Sequence, residues 1–114
     1  MDNIIFSLGY HLALIGHRTS YLGKHFNKHG RQMGFASKKE YGNAAFKFAQ
    51  QNIKNLQSKI FEGYWNGSGM VGKEKQIAIV FDNKTAILDK VTGQLIDFYE
   101  GSELRGLINI VKIQ

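Results

Sequence analysis

The sequence predicts an α+β domain, in which N-terminal helices pack on a C-terminal antiparallel β-meander of about four strands. Three observations predict this class: a helix-capping signature at Ser37–Glu40, helical spacing of apolar residues after it, and short β-branched segments separated by turns from Gln76 onward. Because helices and strands follow one another instead of alternating, an α+β domain is favoured over a parallel α/β one. The 114 residues are expected to form one domain, 1–114.

The composition limits what can hold this domain together. The chain has no cysteine, which excludes disulfides and thiolate metal sites. It also has no proline, so its turns must come from the 13 glycines and from Asn and Asp residues. With 43% hydrophobic and 21% charged residues, the chain has the composition of an ordinary globular protein with one packed core.

Two helices are predicted in the first part of the chain. Residues 4–15 form an apolar run that is too short and too polar to span a bilayer, and they fit a buried helix. A second helix is expected from Tyr21 to His29, with Thr19 or Ser20 as its N-cap and Gly30 at its end.

The faces of this second helix differ in chemistry. Helical spacing puts Lys24 and Lys28 on one face and His25 and His29 on the adjoining face. Leu22 and Phe26 are expected to point toward the core.

The third helix carries the clearest local signal. Ser37 and Glu40 form a capping box, in which Ser37 accepts from the amide of Glu40 and Glu40 reaches back to the amide of Ser37. Tyr41, Ala45 and Phe48 then recur at helical spacing, and the pattern predicts a helix over residues 38–57.

The remaining chain has the pattern of a meander. Residues 63–69 form a glycine-rich loop with two aromatic residues, and it lacks the Gly-Lys-Ser/Thr ending of a phosphate loop. Turns are expected at Asp82–Lys84 and Val91–Gln94. The four predicted strands are Gln76–Phe81, Thr85–Leu88, Leu95–Tyr99 and Leu107–Ile113.

The charge is positive and uneven. The formal net charge is +6; residues 1–59 carry nine Lys/Arg and two acidic residues, whereas residues 60–114 carry six and seven. A basic half attracts polyanions and accelerates encounter with them. Charge alone does not decide between a protein that binds nucleic acid and a basic protein that has no polyanionic partner.

Chemistry-bearing residues concentrate in residues 24–35. His25 and His29 lie among three cations, and between Asp2 and Glu40 there is no carboxylate. Histidine transfers protons near neutral pH, and Lys and Arg bind phosphate. Cleavage at a ribose 2′-hydroxyl needs a base, an acid and cations for the transition state. His29 or His25 fits the first role, and Lys28, Lys24 and Arg31 fit the third; the alternative is a solvated basic helix face with one buried histidine.

A metal site is not expected from the sequence. His25 and His29 have the i, i+4 spacing of two ligands, but zinc needs a third, and His11 or His17 is not required by any spacing. The surrounding cations also oppose a divalent ion.

Several aromatic residues are candidates for stacking on bases. Tyr99 is the best of them, because strand alternation places it on one face with Asp97 and leaves Ile96 and Phe98 on the face toward the helices. The other candidates are Trp65, Tyr64 and Phe81.

Two segments together resemble a known group of proteins. The string from His25 to Tyr41, with its His-Phe-Asn-Lys-His-Gly start, is similar to the opening signature of bacterial toxin C-terminal domains, including those of contact-dependent growth inhibition. The string from Phe81 to Tyr99 resembles their closing β-meander. The resemblance implies the barnase/EndoU/colicin/RelE ribonuclease superfamily, with colicin D as a close relative in type, and covers about Tyr21 to Glu100.

The resemblance also implies roles for individual residues. Lys28-His29-Gly30 matches the catalytic lysine–histidine pair of colicin D-like domains, so His29 becomes the general acid or base and Lys28 the phosphate-binding cation. Asp97 and Tyr99 fall where such domains carry a hydroxyl and an aromatic residue. Asp97 departs from the usual Ser or Thr, and a carboxylate there would repel phosphate unless it orients His29 or another base.

One further position departs from the pattern. Colicin D carries an additional lysine where this chain has Phe26, and Lys24 is expected to substitute for it from the preceding turn. His25 stays a second catalytic candidate. Residues expected to bind the substrate are Lys24, Arg31, Lys38, Lys39 and Trp65.

The function implied is a metal-independent tRNA endonuclease without a cofactor. Such toxins are secreted, enter the cytoplasm of a target bacterium without stable membrane association, and are neutralised by an acidic immunity protein. A host protein that activates the toxin is a further possible partner. The chain would then be the C-terminal piece of a larger protein. The alternatives are a non-catalytic nucleic-acid-binding module and a metal-dependent DNase toxin.

Overall fold

The computed structural model describes residues 25–65, 75–90, 93–104 and 106–114. In these ranges no helix is long and apolar enough to cross a membrane. The predicted helix over residues 4–15, the start of the second helix, and Val91 and Thr92 lie outside the described residues. The elements are a π-helical turn (Phe26–Gly30), α1 (Lys38–Asn52), β1 (Lys59–Trp65), β2 (Lys75–Phe81), β3 (Lys84–Asp89), β4 (Leu95–Glu100) and β5 (Leu107–Lys112).

The strands form one antiparallel sheet in the order β4-β3-β2-β1-β5. An antiparallel sheet with helices agrees with the α+β prediction, but the sheet has five strands and not about four. The additional strand, β1, covers the residues between the predicted helix and the glycine-rich loop, and the first three residues of that loop. Gly63 lies within β1 at a bulge, where an added Cβ would lie 3.2 Å from the carbonyl oxygen of Ile108. This glycine marks a close approach of two strands, and not a loop.

Helix α1 begins as predicted and ends early. The Glu40 N–H donates to the Ser37 hydroxyl, which confirms Ser37 as the N-cap. The Glu40 carboxylate, however, accepts from the N–H of Ala36 and not from that of Ser37, so the reciprocal bond reaches one residue further back. The helix stops at Asn52 and not near residue 57; the Asn55 N–H then donates to the Asn52 carbonyl and the Ser58 N–H to the Asn55 carbonyl, in turns that lead to β1.

The core lies between α1 and one face of the sheet. Tyr41, Ala45 and Ala49 of α1 are fully buried against it. A smaller cluster on the other face contains Ala78, Ile87 and Leu107. The buried residues of the main cluster include Phe26, Ile53, Ile60, Ile77, Ile79, Leu88, Leu95 and Phe98.

A bulge in β4 changes its predicted faces. Ile87 pairs with Asp97 and Leu88 pairs with Leu95, so Ile96 is the extra residue between them. Phe98 points to the helix side as predicted, but Ile96 packs with the smaller cluster, which contradicts the prediction that both share a face. Simple alternation fails wherever one strand carries an inserted residue.

The turn between β2 and β3 lies where the sequence predicts it. Asp82 and Asn83 both have positive φ, at 50° and 58°. Two consecutive left-handed residues match the right-handed twist of a hairpin, and Asn and Asp tolerate this conformation best after Gly.

Candidate functional site: two histidines on one carboxylate

The two histidines lie on an unusual helical turn. His25 precedes the π-helical turn that contains His29, and the N–H of Arg31 donates to the carbonyl of Phe26, five residues earlier. The wider turn stacks the two imidazoles, with ring centroids 5.8 Å apart and planes 14° from parallel. Single π turns occur frequently at functional sites. The predicted shared face of His25 and His29 is therefore confirmed.

The helical segment ends later than the sequence predicts. Gly34, not Gly30, takes the left-handed conformation, with φ of 89°. The Phe35 N–H donates to the Gly30 carbonyl and the Gly34 N–H donates to the Arg31 carbonyl, which is the hydrogen-bond pattern of a Schellman cap.

Gly30 is instead a packing position. A Cβ there would lie 2.5 Å from the ring of Phe26 and 3.1 Å from the ring of Tyr41. The absence of a side chain lets the π-helical turn approach α1 closely, and this contact fixes the turn that carries the histidines.

Asp97 on β4 joins the two imidazoles. Its Oδ1 lies 3.4 Å from His25 Nδ1, and its Oδ2 lies 3.8 Å from His29 Nε2. The side chains of Asp97 and His29 are 18% and 16% exposed, whereas that of His25 is 35% exposed. One carboxylate therefore faces two imidazoles, of which His25 is the more open to solvent.

The surroundings of Asp97 change the pKa of its carboxyl group. Burial raises the pKa of Asp97, and the charges of His29 and Lys28 and the hydrogen bond from the Phe98 N–H only partly oppose this. The nearby phenol of Tyr41 donates to the Phe98 carbonyl at 2.5 Å. Burial and the charge of Asp97 raise the pKa of Tyr41, so the phenol remains a neutral donor that anchors β4 to α1.

Tyr99 completes the group on the sheet side. Its ring centroid lies 5.4 Å from that of His29, with the planes tilted by 40°. Its hydroxyl donates to the carbonyl of Glu103. The aromatic face of Tyr99 therefore borders the imidazole, while its hydroxyl is held by the chain after β4.

Four of the predicted cations lie at the surface, and the charge of one of them, Lys28, acts on Asp97. Lys28, Arg31, Lys38 and Lys39 are all exposed. The Arg31 guanidinium lies 5.2 Å from the centroid of the Phe26 ring, and its Nε donates to the Asn27 side chain at 3.4 Å. Lys24 lies outside the described residues.

Trp65 is placed elsewhere by the fold. It pairs with Leu107 at the β1–β5 side of the sheet, three strands away from β4, and its ring lies over Gly106. At about 4.8 Å between neighbouring strands, this separation is roughly 14 Å. The structure therefore does not bring Trp65 together with the histidines.

Two arrangements were not found by sequence reasoning. Asp97 supplies a third potential ligand beside His25 and His29, and the nearest ligand atoms of the three lie within 4.8 Å of one another. Glu62 forms a separate ion-paired group with Lys75 and Lys90. Neither group has a local sequence signal. The histidines lie at a helical turn and Asp97 lies on the distant strand β4, whereas Glu62 and its two lysines lie on or next to three different strands.

Comparison of the chain with protein-family models, with curated proteins and with solved structures gives no match. The resemblance to toxin nuclease domains therefore stays a prediction from the sequence motifs. The geometry around Asp97 is what a functional assignment must explain.

Proposed function

We propose that this protein is a metal-independent endoribonuclease that cleaves tRNA by attack of a ribose 2′-hydroxyl on the adjacent phosphate. The observation that supports this most is the position of Asp97 between the imidazoles of His25 and His29. Two imidazoles that share one carboxylate can hold one proton between them, so that one serves as base while the other serves as acid.

The reaction assigns a proton transfer to each imidazole. The neutral imidazole takes the proton of the 2′-hydroxyl, the 2′-oxygen bonds to phosphorus, and the P–O5′ bond breaks as the imidazolium protonates the leaving oxygen. His29 is the leading candidate for the first transfer because it is the less exposed and contacts both Asp97 and Tyr99. His25 is then the acid, at the more open side.

Asp97 acts through the imidazoles and not on the phosphate. Its charge interacts with His29 and Lys28, which compensate for it on the side where a phosphate would bind. Lys28, whose charge acts on Asp97, is exposed and would stabilise the phosphorane-like transition state, with exposed Arg31 of the same segment as a second cation for the phosphate. The carboxylate that departs from the colicin D-like pattern thus has a positioning role.

The biological role belongs to the same proposal. We propose a toxin of interbacterial competition that is delivered from outside into the cytoplasm of a target cell and is neutralised by an acidic immunity protein. The sequence resemblance and the exposed cations Lys28, Arg31, Lys38 and Lys39 support this role. Activation by a host protein is a further expectation from the resemblance alone.

A metal-dependent DNase is the second candidate, and the group of His25, His29 and Asp97 is the observation that favours it. Both candidates are tested by incubating total RNA and duplex DNA with the protein, with EDTA and with Mg²⁺ or Zn²⁺. Discrete cleavage of tRNA in EDTA supports the proposed function. Cleavage of DNA that EDTA abolishes supports the second candidate, and an RNA mobility shift without cleavage indicates a non-catalytic binding module.

A further inference from the structure

The fold brings together three side chains that are well suited to a transition metal ion. Among the described residues, His25, His29 and Asp97 are the one group of three potential ligands. Imidazole nitrogens favour Zn²⁺, Ni²⁺ and Cu²⁺, whereas Mg²⁺ and Ca²⁺ favour sites made of oxygen ligands. The donor set therefore indicates a zinc-like ion.

We propose that His25, His29 and Asp97 form a binding site for Zn²⁺, and that the bound ion inhibits the nuclease. The binding is independent of the activity, whereas the inhibition rests on the proposed function. The site would make the protein inactive in zinc-rich surroundings and active where free zinc is scarce.

The distances are close to those of a tetrahedral site. Zinc bound to nitrogen and oxygen at about 2.0–2.1 Å separates neighbouring ligand atoms by about 3.3 Å. His25 Nδ1 and Asp97 Oδ1 are already 3.4 Å apart, and His29 Nε2 and Asp97 Oδ2 are 3.8 Å apart. All three ligand atoms lie within 4.8 Å, so side-chain rotations bring them to coordinating distance.

The site is open to solvent on one side, and one positive charge nearby opposes the binding of a cation. The imidazole of His25 is 35% exposed, which leaves one side open for the ion and for a water as fourth ligand. Lys28 is close enough to influence the charge of Asp97, and its positive charge lowers the affinity for a cation. A moderate and reversible affinity follows from three ligands opposed by one cation.

Inhibition follows from the identity of the atoms involved. Metal ligands must be deprotonated. Because Asp97 faces Nε2 of His29, the base of the reaction is the other ring nitrogen, Nδ1. An ion on Nε2 fixes the one remaining ring proton on Nδ1, which then has no lone pair to accept the 2′-hydroxyl proton. A bound zinc ion therefore replaces the proton that the two imidazoles share. The base and the acid of the reaction are lost together.

Binding is measured first on the purified protein without RNA. Isothermal titration with Zn²⁺ and absorption spectroscopy with Co²⁺ are expected to show one ion per chain, and Mg²⁺ should give no signal. His25→Ala, the variant at the most exposed ligand, and Asp97→Asn should each weaken binding at least about tenfold. Glu62→Gln is the matched control, because it removes a similarly buried carboxylate outside the site, and it should bind normally.

The second measurement is tRNA cleavage at increasing Zn²⁺, with EDTA to reverse the effect. Inhibition at the concentrations that saturate binding supports the proposal. Absence of binding, or binding that persists in both variants, would overturn the site. Binding with activity that requires zinc would overturn the inhibition, and binding by a protein inactive in EDTA and in zinc would support the site while the proposed nuclease function fails.

Discussion

Asp97 and Glu62 are two carboxylates of similar burial with different neighbours. The side chain of Glu62 is 14% exposed and lies 2.6 Å from Lys90 and 3.3 Å from Lys75, whereas that of Asp97 is 18% exposed and faces two imidazoles. Lysines stay charged at neutral pH, but imidazoles gain and lose protons there. Under the proposed function, the partners of the two carboxylates separate an ion-paired structural role for Glu62 from a role in proton transfer for Asp97.

The pKa directions of the two carboxylates express this difference. Burial would raise the pKa of Glu62, but the hydrogen bonds and charges of Lys90 and Lys75 outweigh burial and lower it. Burial raises the pKa of Asp97, and the charges of His29 and Lys28 do not reverse the shift. Ionisation of Glu62 therefore stabilises the folded state, whereas ionisation of Asp97 destabilises it. Functional sites commonly carry such a cost in stability.

The largest expected effect is the loss of the leading acid–base group. His29→Ala should reduce tRNA cleavage by about 10²–10⁴-fold, because proton transfer in the transition state contributes that much. Circular dichroism should show a folded protein, since the side chain is only partly buried. A folded His29→Ala protein with full activity would contradict the assignment. If His25→Ala alone abolishes cleavage, the roles of the two histidines are exchanged.

Asp97→Asn should reduce cleavage by roughly 10²-fold, because the neutral amide no longer supports an imidazolium beside it. The same variant should be no less stable than the wild type at pH 7. Because the pKa of Asp97 is raised on folding, its ionisation costs stability as pH rises from its ordinary value of 3.8 through the folded value.

Urea unfolding of both proteins across pH 3–7 tests whether ionisation of Asp97 lowers the free energy of unfolding. The stability of Asp97→Asn relative to the wild type should increase with pH. A relative stability that falls with pH would mean that the ionised carboxylate is a structural anchor like Glu62.

Reversal of two exposed cations of the segment that carries the histidines should have a smaller effect, on encounter with RNA. Lys28→Glu combined with Arg31→Glu should slow tRNA association about tenfold at low salt and flatten its salt dependence. The matched control is Lys54→Glu with Lys59→Glu, which reverses two exposed lysines of other elements. Equal effects in the two double variants would show that net charge alone, and not this surface, attracts RNA. An immunity protein that binds here should lose affinity in the first variant only.

Glu62→Gln should have the smallest effect, and only on folding. Loss of the charged pairing should reduce the free energy of unfolding by about 1 kcal/mol at pH 7, with cleavage unchanged. Because the pKa of Glu62 is lowered on folding, this difference should vanish as the pH falls through the folded value, below 4.5. A loss of cleavage in a folded Glu62→Gln protein would break the distinction between the two carboxylates.

Local signals predicted much of the fold. The cap at Ser37, the buried positions Tyr41 and Ala45, and the turn at Asp82 and Asn83 depend on neighbours in the chain, and the structure agrees with them. Strand β1 was missed, because Gly63 has the appearance of a loop residue unless the close approach of β5 is known.

The site was predictable in residue type but not in geometry. His25, His29 and Asp97 were each candidates from the sequence, yet their contact depends on how the π-helical turn lies along β4. The bulge at Ile96 and the packing of Gly30 on Tyr41 set that contact, and both are tertiary features. The third potential metal ligand was missed for the same reason.

The most direct test of the central claim is the chemistry of the cleaved ends. We expect tRNA incubated with the wild-type protein in EDTA to give products that end in a 2′,3′-cyclic phosphate, with a 5′-hydroxyl on the neighbouring fragment, as identified by mass spectrometry. Attack by the 2′-hydroxyl, with proton transfer by His25 and His29, leaves these ends. Products with a 3′-hydroxyl and a 5′-phosphate, formed only when a divalent ion is present, would contradict the proposal and indicate metal-assisted hydrolysis.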